Sequence, residues 1–125
     1  MPPQTYLSPQ ALRTVAVIGT GSVGASWAAL FLARGLDVVA HDPAPGAEAL
    51  ARDFVARAWP ALCALGQAAD RMVPQQRLRF VASAAAAAAA ADVVQENTPE
   101  KPALKAQVLA ELDAAAAPHK IILSS

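Results

Sequence analysis

The sequence predicts an α/β fold in which parallel strands form one doubly wound sheet covered by helices. Short apolar runs alternate with segments of helical periodicity along the chain, and a glycine-rich turn follows the first apolar run within residues 15–24. Strands that alternate with helices form parallel sheets through right-handed crossovers. The 125 residues suit one domain, and we expect five strands in the order 3-2-1-4-5.

The first strand and the turn after it carry the strongest signal. Arg13–Ile18 is predicted as a strand buried on both faces, and Gly19, Gly21 and Gly24 follow as GxGxxG before a helical segment. The first glycine permits a sharp turn, the second admits a pyrophosphate, and the third lets helix and strand pack closely. This context predicts a Rossmann-type dinucleotide site. A glycine-rich turn without a ligand is the alternative.

The first helix is predicted from Ser22 to about Arg34, where Gly35 ends it. Its first amides, at Ser22 and Val23, have no partners within the helix and can bind phosphate. Helical spacing predicts that one apolar face of this helix is buried. The predicted face consists of Val23, Trp27, Leu30 and Phe31.

The second strand is predicted over Val38–Ala40, and His41 and Asp42 end it because Pro43 keeps the residue before it extended. A second helix is predicted from about Gly46 to Leu65. Pro60 is expected to kink this helix or to divide it after Trp59. The predicted apolar stripe of the helix consists of Leu50, Phe54, Ala58, Leu62 and Leu65.

The second half of the chain continues the alternation. A polar connection precedes the third strand, and alanine-rich residues form a short helix that we expect to pack weakly, as a spacer, because alanine offers little side-chain area. The prolines and polar residues of 1–12 favour a poorly ordered leader outside the core, so the domain spans 13–125. The predicted elements are the connection Gln67–Arg77, strand Leu78–Ala82, helix Ala84–Ala91, strand Asp92–Gln95, helix Pro99–Ala115 and strand Ile121–Leu123.

Composition excludes several classes of function. Ten basic and ten acidic residues are scattered along the chain, which argues against nucleic acid or a membrane surface as partner and favours a small molecule. Cys63 is the only cysteine, so we expect core packing there, without a disulfide or metal site. We also expect no membrane span, no signal peptide and a cytoplasmic protein.

Asp42 is the second candidate site residue. It lies 18 residues beyond Gly24, at the end of the second strand, where a carboxylate can accept hydrogen bonds from the adenosine ribose of a dinucleotide. A helix cap is the alternative role. Because an NADP site would carry a cation near the extra phosphate and Asp42 is followed only by proline and alanine, NAD is the predicted cofactor.

The loop Gln95–Glu100 is the third candidate, because it follows the fourth strand at the same sheet edge and would face the nicotinamide half. Its polar residues could equally form an ordinary helix start, with Asn97 or Thr98 as cap. Neither His41 nor His119 lies well for acid–base chemistry at that edge. The histidine spacing also predicts no metal site.

The chain resembles the amino-terminal domain of the 3-hydroxyacyl-CoA dehydrogenase superfamily over residues 13–125. The motifs that carry the resemblance are GTGSVGASWA from Gly19, VVAHDP ending at Pro43, ADVVQENTPE ending at Glu100, and the terminal IILSS. Within the superfamily the chain looks most like the L-carnitine dehydrogenase branch, followed by the L-gulonate 3-dehydrogenase and lambda-crystallin group.

The resemblance implies an enzyme that oxidises a secondary 3-hydroxyl to a ketone with NAD. It implies that Asp42 holds the adenosine ribose, while Asn97 (through its backbone), Glu100 and Lys105 lie near the nicotinamide ribose and phosphates. Ser125 stands where the family has a cofactor-contacting asparagine.

The family's catalytic histidine and glutamate, its helical carboxyl-terminal domain and most of its dimer contact would all lie downstream of this chain. The chain alone is therefore expected to be inactive. A sensor or interaction module that binds NAD without chemistry is the alternative. A 6-phosphogluconate-type dehydrogenase would share the glycines but is not expected to show the 95–100 loop.

Overall fold

A computed structural model describes residues 11–97, 106–111 and 121–124 of the chain. Within these residues, five parallel strands form one sheet in the order β3-β2-β1-β4-β5, which confirms the predicted fold class and strand order. The predicted strands are confirmed to within two residues at either end. The strands are β1 (Thr14–Ile18), β2 (Asp37–His41), β3 (Leu78–Phe80), β4 (Val93–Glu96) and β5 (Ile121–Ser124).

Helices cover the two faces of the sheet. One core cluster joins α1 (Ser22–Ala33) and α2 (Ala47–Ala64) to the sheet through Val17, Val38 and Leu78. The other joins α3 (Ala84–Ala90) and Val108, in a helical stretch over 106–111, to alternate strand residues such as Ala16 and Val39. Because successive residues of a strand point to opposite faces, a strand covered on both faces needs a continuous apolar run, and β1 has one.

The buried face of α1 differs from the predicted one. Val23 is 55% exposed and Trp27 is 37% exposed, while Leu30 and Phe31 are only half-buried. Small side chains allow the helix axis to approach the sheet and α2 closely, so the alanine side of α1 faces inward and the aromatic side lies at the rim. Its buried residues are Gly24, Ala25, Ala28, Ala29, Leu32 and Ala33.

The apolar stripe predicted for α2 was wrong. The helix runs without interruption through Pro60, so of the two alternatives expected at this proline the division after Trp59 does not occur, and the kink stays a prediction. The buried residues are Ala47, Ala51, Val55 and Trp59, about one position away from the predicted stripe, and Leu50 is 70% exposed. Trp59 sets this rotation, because its ring is buried and its Nε1–H donates to the carbonyl oxygen of Asp70 at 3.0 Å.

The alanine-rich helix α3 is helical as predicted but is not weakly packed. Ala87 and Ala88 are completely buried in the core cluster on their face of the sheet, because helices with short side chains can lie close to a strand surface. Ser83 caps the helix, with its hydroxyl accepting a hydrogen bond from the amide of Ala86 at 3.0 Å. Cys63 is half-buried against the core cluster that joins α1 and α2 to the sheet, which confirms its expected core packing.

Several predictions fall outside the described residues. These are the leader up to residue 10 and most of the helix Pro99–Ala115, of which residues 106–111 are described and helical. None of the helices in the described parts of the chain is long and apolar enough to cross a membrane.

Candidate functional site

A cleft of about 640 Å³ opens at the carboxyl edge of the sheet, where β1 lies between β2 and β4. This is the point at which the strand order reverses, and ligands of open α/β sheets bind there. The volume falls within the range of ligand sites in proteins. The lining includes Gly19 and Gly21 of the turn, His41 to Ala44 at the end of β2, Ala82 to Ala84 at the start of α3, Asn97, and Gln107, Val108 and Glu111.

The glycine turn joins β1 to α1 as the sequence predicts. Gly19 has φ +86°, a left-handed conformation that suits glycine, and its amide donates to the carbonyl oxygen of His41 at 2.9 Å. A Cβ on Gly24 would lie 1.8 Å from the carbonyl oxygen of Gly19. The close packing of helix and strand therefore requires glycine at position 24.

Gly21 lies in a different environment, although it belongs to the same turn. It precedes α1 as the N-cap residue, without a side-chain cap, and within the part of the chain that the structure describes a Cβ built on it would meet no atom within 4 Å. Ser22 and Val23, the next residues, are exposed. The start of α1 thus presents unpaired amides and the positive end of a helix dipole beside an open cleft, which suits a pyrophosphate.

Asp42 connects the end of β2 to the glycine turn. Its Oδ2 accepts a hydrogen bond from the amide of Thr20 at 2.8 Å and lies 3.3 Å from the Thr20 hydroxyl. Its Oδ1 accepts from the amide of Ala44 at 2.9 Å. Because the N-cap of α2 is Gly46, Asp42 does not cap that helix. Its carboxylate instead fixes the turn and lines the cleft.

Asn97 connects β4 to the same turn. Its backbone amide donates to the carbonyl oxygen of Ile18 at 2.8 Å, so this N–H extends the pairing of β1 with β4. Its side-chain Nδ2 lies 3.4 Å from the carbonyl oxygen of Gly19, and its Oδ1 accepts from Gln95 Nε2 at 3.2 Å. Glu100, Lys105 and Ser125, the other predicted site residues of this half, lie outside the described residues.

Two features of this site are absent from the sequence-based prediction. Thr20 is 6% exposed and joins the turn to Asp42, but the variable positions of the glycine motif give no signal for such a role. His41 lines the cleft, with Nδ1 3.0 Å from the carbonyl oxygen of Val81. Its place directly before Asp42 in the sequence is the signal that could have indicated this position.

The charges of the cleft favour NAD over NADP. Its described lining contains the carboxyl groups of Asp42 and Glu111 and no lysine or arginine. A 2′-phosphate next to Asp42 would meet a like charge without a cation to compensate it. Within the described part of the chain, no group of three or more potential metal ligands occurs. The residues present fit NAD: an open position at Gly21, free helix amides and a carboxylate at the end of β2.

A parallel sheet with this glycine turn at its switch point defines the class of Rossmann-type dinucleotide-binding domains. Residues 14–125 match the family described as 3-hydroxyacyl-CoA dehydrogenase, NAD binding domain, and the chain belongs to that family. The predicted family and its cofactor, NAD, are thereby confirmed.

Relatives of known function are similar over most of the chain. L-carnitine dehydrogenase from Pseudomonas aeruginosa is 50% identical over 114 residues, which cover 91% of this chain and 35% of that protein. The enzyme of the same name from Nocardiopsis dassonvillei is 49% identical over 118 residues, covering 94% of this chain and 35% of that protein. The chain therefore spans about a third of the length of these relatives.

Solved structures show the same fold. (S)-3-hydroxybutyryl-CoA dehydrogenase from Ralstonia eutropha superposes with a TM-score of 0.78 at 28% identity, covering 91% of this chain and 41% of that one. An NAD⁺-dependent 5-formyl-3-hydroxy-2-methylpyridine 4-carboxylic acid 5-dehydrogenase superposes with a TM-score of 0.77 at 36% identity, covering 90% of this chain and 36% of that one.

Proposed function

We propose that the chain supplies the NAD site of a dehydrogenase that oxidises the secondary 3-hydroxyl of a small, carnitine-like acid. The observation that carries this proposal is the cleft at the switch point, onto which the glycine turn, Asp42 and the end of β4 all converge. The similarity to L-carnitine dehydrogenases favours a carnitine-like substrate over an acyl-CoA.

The pyrophosphate is assigned to the turn between β1 and α1. Gly19 shapes the turn, Gly24 brings the helix close, and Gly21 leaves the space that the phosphates need. The amides of Ser22 and Val23 would donate to phosphate oxygens, since the first amides of a helix have no partners within it.

The ribose and nicotinamide parts are assigned to the ends of β2 and β4. Asp42 would accept the hydroxyls of the adenosine ribose with the lone pairs that remain after its bonds to the amides of Thr20 and Ala44. On the nicotinamide side we assign Asn97, Glu100, Lys105 and Ser125. Bound NAD supplies the hydride acceptor, while the residues of this chain bind and orient it.

We assign the chemistry itself to sequence beyond this chain. Residues 13–125 would form the cofactor domain, and a catalytic histidine and glutamate would come from the further length that the relatives have. A helical domain there would also provide the dimer contact. We also propose that the enzyme is cytoplasmic.

Calorimetric titration of the chain with NAD and NADP tests the cofactor assignment. We expect NAD to bind and NADP to bind at least about tenfold more weakly, a difference of about 1.4 kcal/mol or more, because a like-charge contact disfavours the 2′-phosphate. Absence of NAD binding, or tighter binding of NADP, would contradict the proposal.

A second experiment separates an enzyme from a module that only binds NAD. The full-length parent protein is assayed for NADH formation with L-carnitine and with 3-hydroxybutyryl-CoA, and the 125-residue chain serves as the inactive control. L-carnitine oxidation supports the proposed substrate class. A parent protein that binds NAD but oxidises neither compound supports the module.

A further inference from the structure

Helix α1 has no charged residue along its whole length. From Ser22 to Ala33 it contains only apolar, glycine and serine residues, although its outer side lies at the surface. Val23 and Trp27 are exposed, and the Trp27 ring stacks on that of Phe31 at a centroid distance of 5.6 Å. A helix that is apolar on all sides is ordinarily buried on all sides. The outer side of α1 therefore has the composition of a covered surface.

Trp27 and Phe31 lie on the side of α1 that faces β4. Gly24 marks this side, because a Cβ built on it would lie 3.3 Å from Nδ2 of Asn97, the residue that follows β4. Residues three and seven positions further along a helix share one side of it, and for Gly24 these are Trp27 and Phe31. The aromatic side of α1 is consequently next to the half of the sheet formed by β4 and β5.

The same face of β4 and β5 also carries apolar side chains. Val17 belongs to the core cluster that contains α1 and α2, and it pairs with Gln95, which pairs with Leu123. Paired residues of adjacent strands, and alternate residues of one strand, point to the same face of a sheet, so Val93 and Leu123 lie on this face. Leu123 is 47% exposed and Val93 is half-buried. On the opposite face of β4, Val94 is completely buried.

Together these residues form one uncharged surface, the α1–β5 surface, which consists of Val23, Trp27, Phe31, Val93 and Leu123. Parallel sheets are covered by helices on both faces. Among the described residues, the core cluster of α1 and α2 has no member from β4 or β5. We propose that the α1–β5 surface binds an apolar helix from the part of the parent protein that follows β5. This inference rests on the proposed function, which assigns further sequence to the enzyme.

The length of the relatives and the position of β5 favour this occupant over a second copy of the chain. The match to L-carnitine dehydrogenase from Pseudomonas aeruginosa covers 35% of that protein, so most of its length lies outside the match. Residues that follow β5 in a longer protein begin beside Leu123, and covalent connection gives them a high effective concentration there. An uncharged surface that contains a tryptophan also suits a permanent contact, because transient interfaces are more polar.

The test places a photocrosslinking residue on this surface in the full-length parent protein. In Trp27→p-benzoylphenylalanine, an aromatic side chain that attaches to its neighbours on illumination replaces the indole, and mass spectrometry identifies the peptide that it reaches. We expect a product of monomer mass that joins position 27 to a residue beyond 125. The matched control is Leu50→p-benzoylphenylalanine on the exposed side of α2, which should give at least about fivefold less product because it lies in solvent.

Every other product overturns the inference. A product of twice the monomer mass shows that a second copy lies on the surface. A crosslink within residues 1–125 shows that the chain itself covers the surface, and absence of a crosslink shows that the surface stays open to solvent. Equal yields from positions 27 and 50 show that the contact is not specific.

Hydroxyl-radical footprinting of the unmodified parent protein tests the inference even if the variant does not fold. We expect Trp27 and Leu123 to be oxidised at less than about a tenth of their rates in urea, and Met72 to keep at least about half of its rate, because the core of an interface excludes water. Met72 is suited to this comparison because it is 81% exposed. Similar retention of the oxidation rate at Trp27 and Met72 contradicts the inference.

Cofactor binding and activity of the same protein separate this inference from the function on which it rests. A parent protein that binds NAD and oxidises L-carnitine, but leaves the α1–β5 surface open, overturns this inference alone. A parent protein that covers the surface with its later sequence, but neither binds NAD nor oxidises L-carnitine, overturns the proposed function alone.

Discussion

Gly24 and Gly21 belong to one turn and one motif, yet their surroundings differ. A Cβ at position 24 would overlap the carbonyl oxygen of Gly19, whereas a Cβ at position 21 would meet no atom of the described residues within 4 Å. The fold itself therefore requires the third glycine of the motif. Among the described residues, no neighbour requires a glycine at the second position, which agrees with our proposal that a pyrophosphate lies there. In this proposal the motif combines a requirement for packing with a requirement for binding.

Asp42 has a structural role in the turn and is also the residue that we assign to the ribose. Its two carboxylate oxygens accept hydrogen bonds from the amides of Thr20 and Ala44, and the same group lines the cleft. A carboxylate oxygen can accept more than one hydrogen bond, so the bonds that shape the turn leave acceptor capacity for a ribose. Substitutions at these three positions should consequently affect stability and cofactor affinity in different proportions.

Gly24→Ala should have the largest effect, and mainly on stability. The added methyl group forces α1 away from β1, and we expect the free energy of unfolding in urea to fall by about 3 kcal/mol, at the upper end for overpacked sites. The matched control is Ser26→Ala at an exposed position of the same helix, which should change it by no more than about 0.5 kcal/mol. Equal stability of both variants would contradict the packing role of Gly24.

Gly21→Val should show the opposite pattern. The side chain occupies the space assigned to the pyrophosphate, and we expect NAD affinity to fall by about 2 to 3 kcal/mol, or roughly 30- to 150-fold, in calorimetric titration. The free energy of unfolding should fall by no more than about 1 kcal/mol, the cost of a poorer N-cap. If NAD affinity stays within about twofold of wild type, the ligand does not lie against Gly21.

Asp42→Asn should give a smaller effect on both quantities. Asparagine has one acceptor oxygen, so one of the two amides loses its partner, and we expect the free energy of unfolding to fall by about 1 to 2 kcal/mol. The preference for NAD over NADP should weaken, because the like charge is removed. Thr20→Val is the control: it deletes the 3.3 Å hydroxyl contact and keeps the charge. An unchanged cofactor preference in Asp42→Asn would separate Asp42 from the ribose site.

The sequence was sufficient for the parts of the fold that depend on local pattern. The apolar run of β1, the glycines and the alternation of strand and helix identified a parallel sheet whose strand order is β3-β2-β1-β4-β5. The sequence also placed Asp42 at the end of β2, at the sheet edge where the cleft lies. These predictions succeeded because they depend on backbone conformation and chain direction, which nearby residues determine.

The buried faces of α1 and α2 were the main features that the sequence predicted wrongly. Hydropathy ranks Trp27 and Leu50 as core residues, but the molecule buries Ala28 in α1 and Val55 in α2, with the larger side chains at the rim or in solvent. Close packing between α1, α2 and the sheet selects side chains by size. The periodicity of one helix gives no information about how closely the neighbouring elements approach it. The packing of α3 was underestimated for the same reason.

By itself, the sequence determined the fold class, the family, the glycine-rich turn between β1 and α1 and the acidic residue at the end of β2, since each is a local pattern. Only the tertiary structure decided that Gly24 is required by the fold and Gly21 is not, that Thr20 and Ala44 bind the carboxylate of Asp42, and that His41 lines the cleft. These facts depend on distances between segments that lie far apart in the chain. Such distances are fixed only when the sheet and its helices pack together.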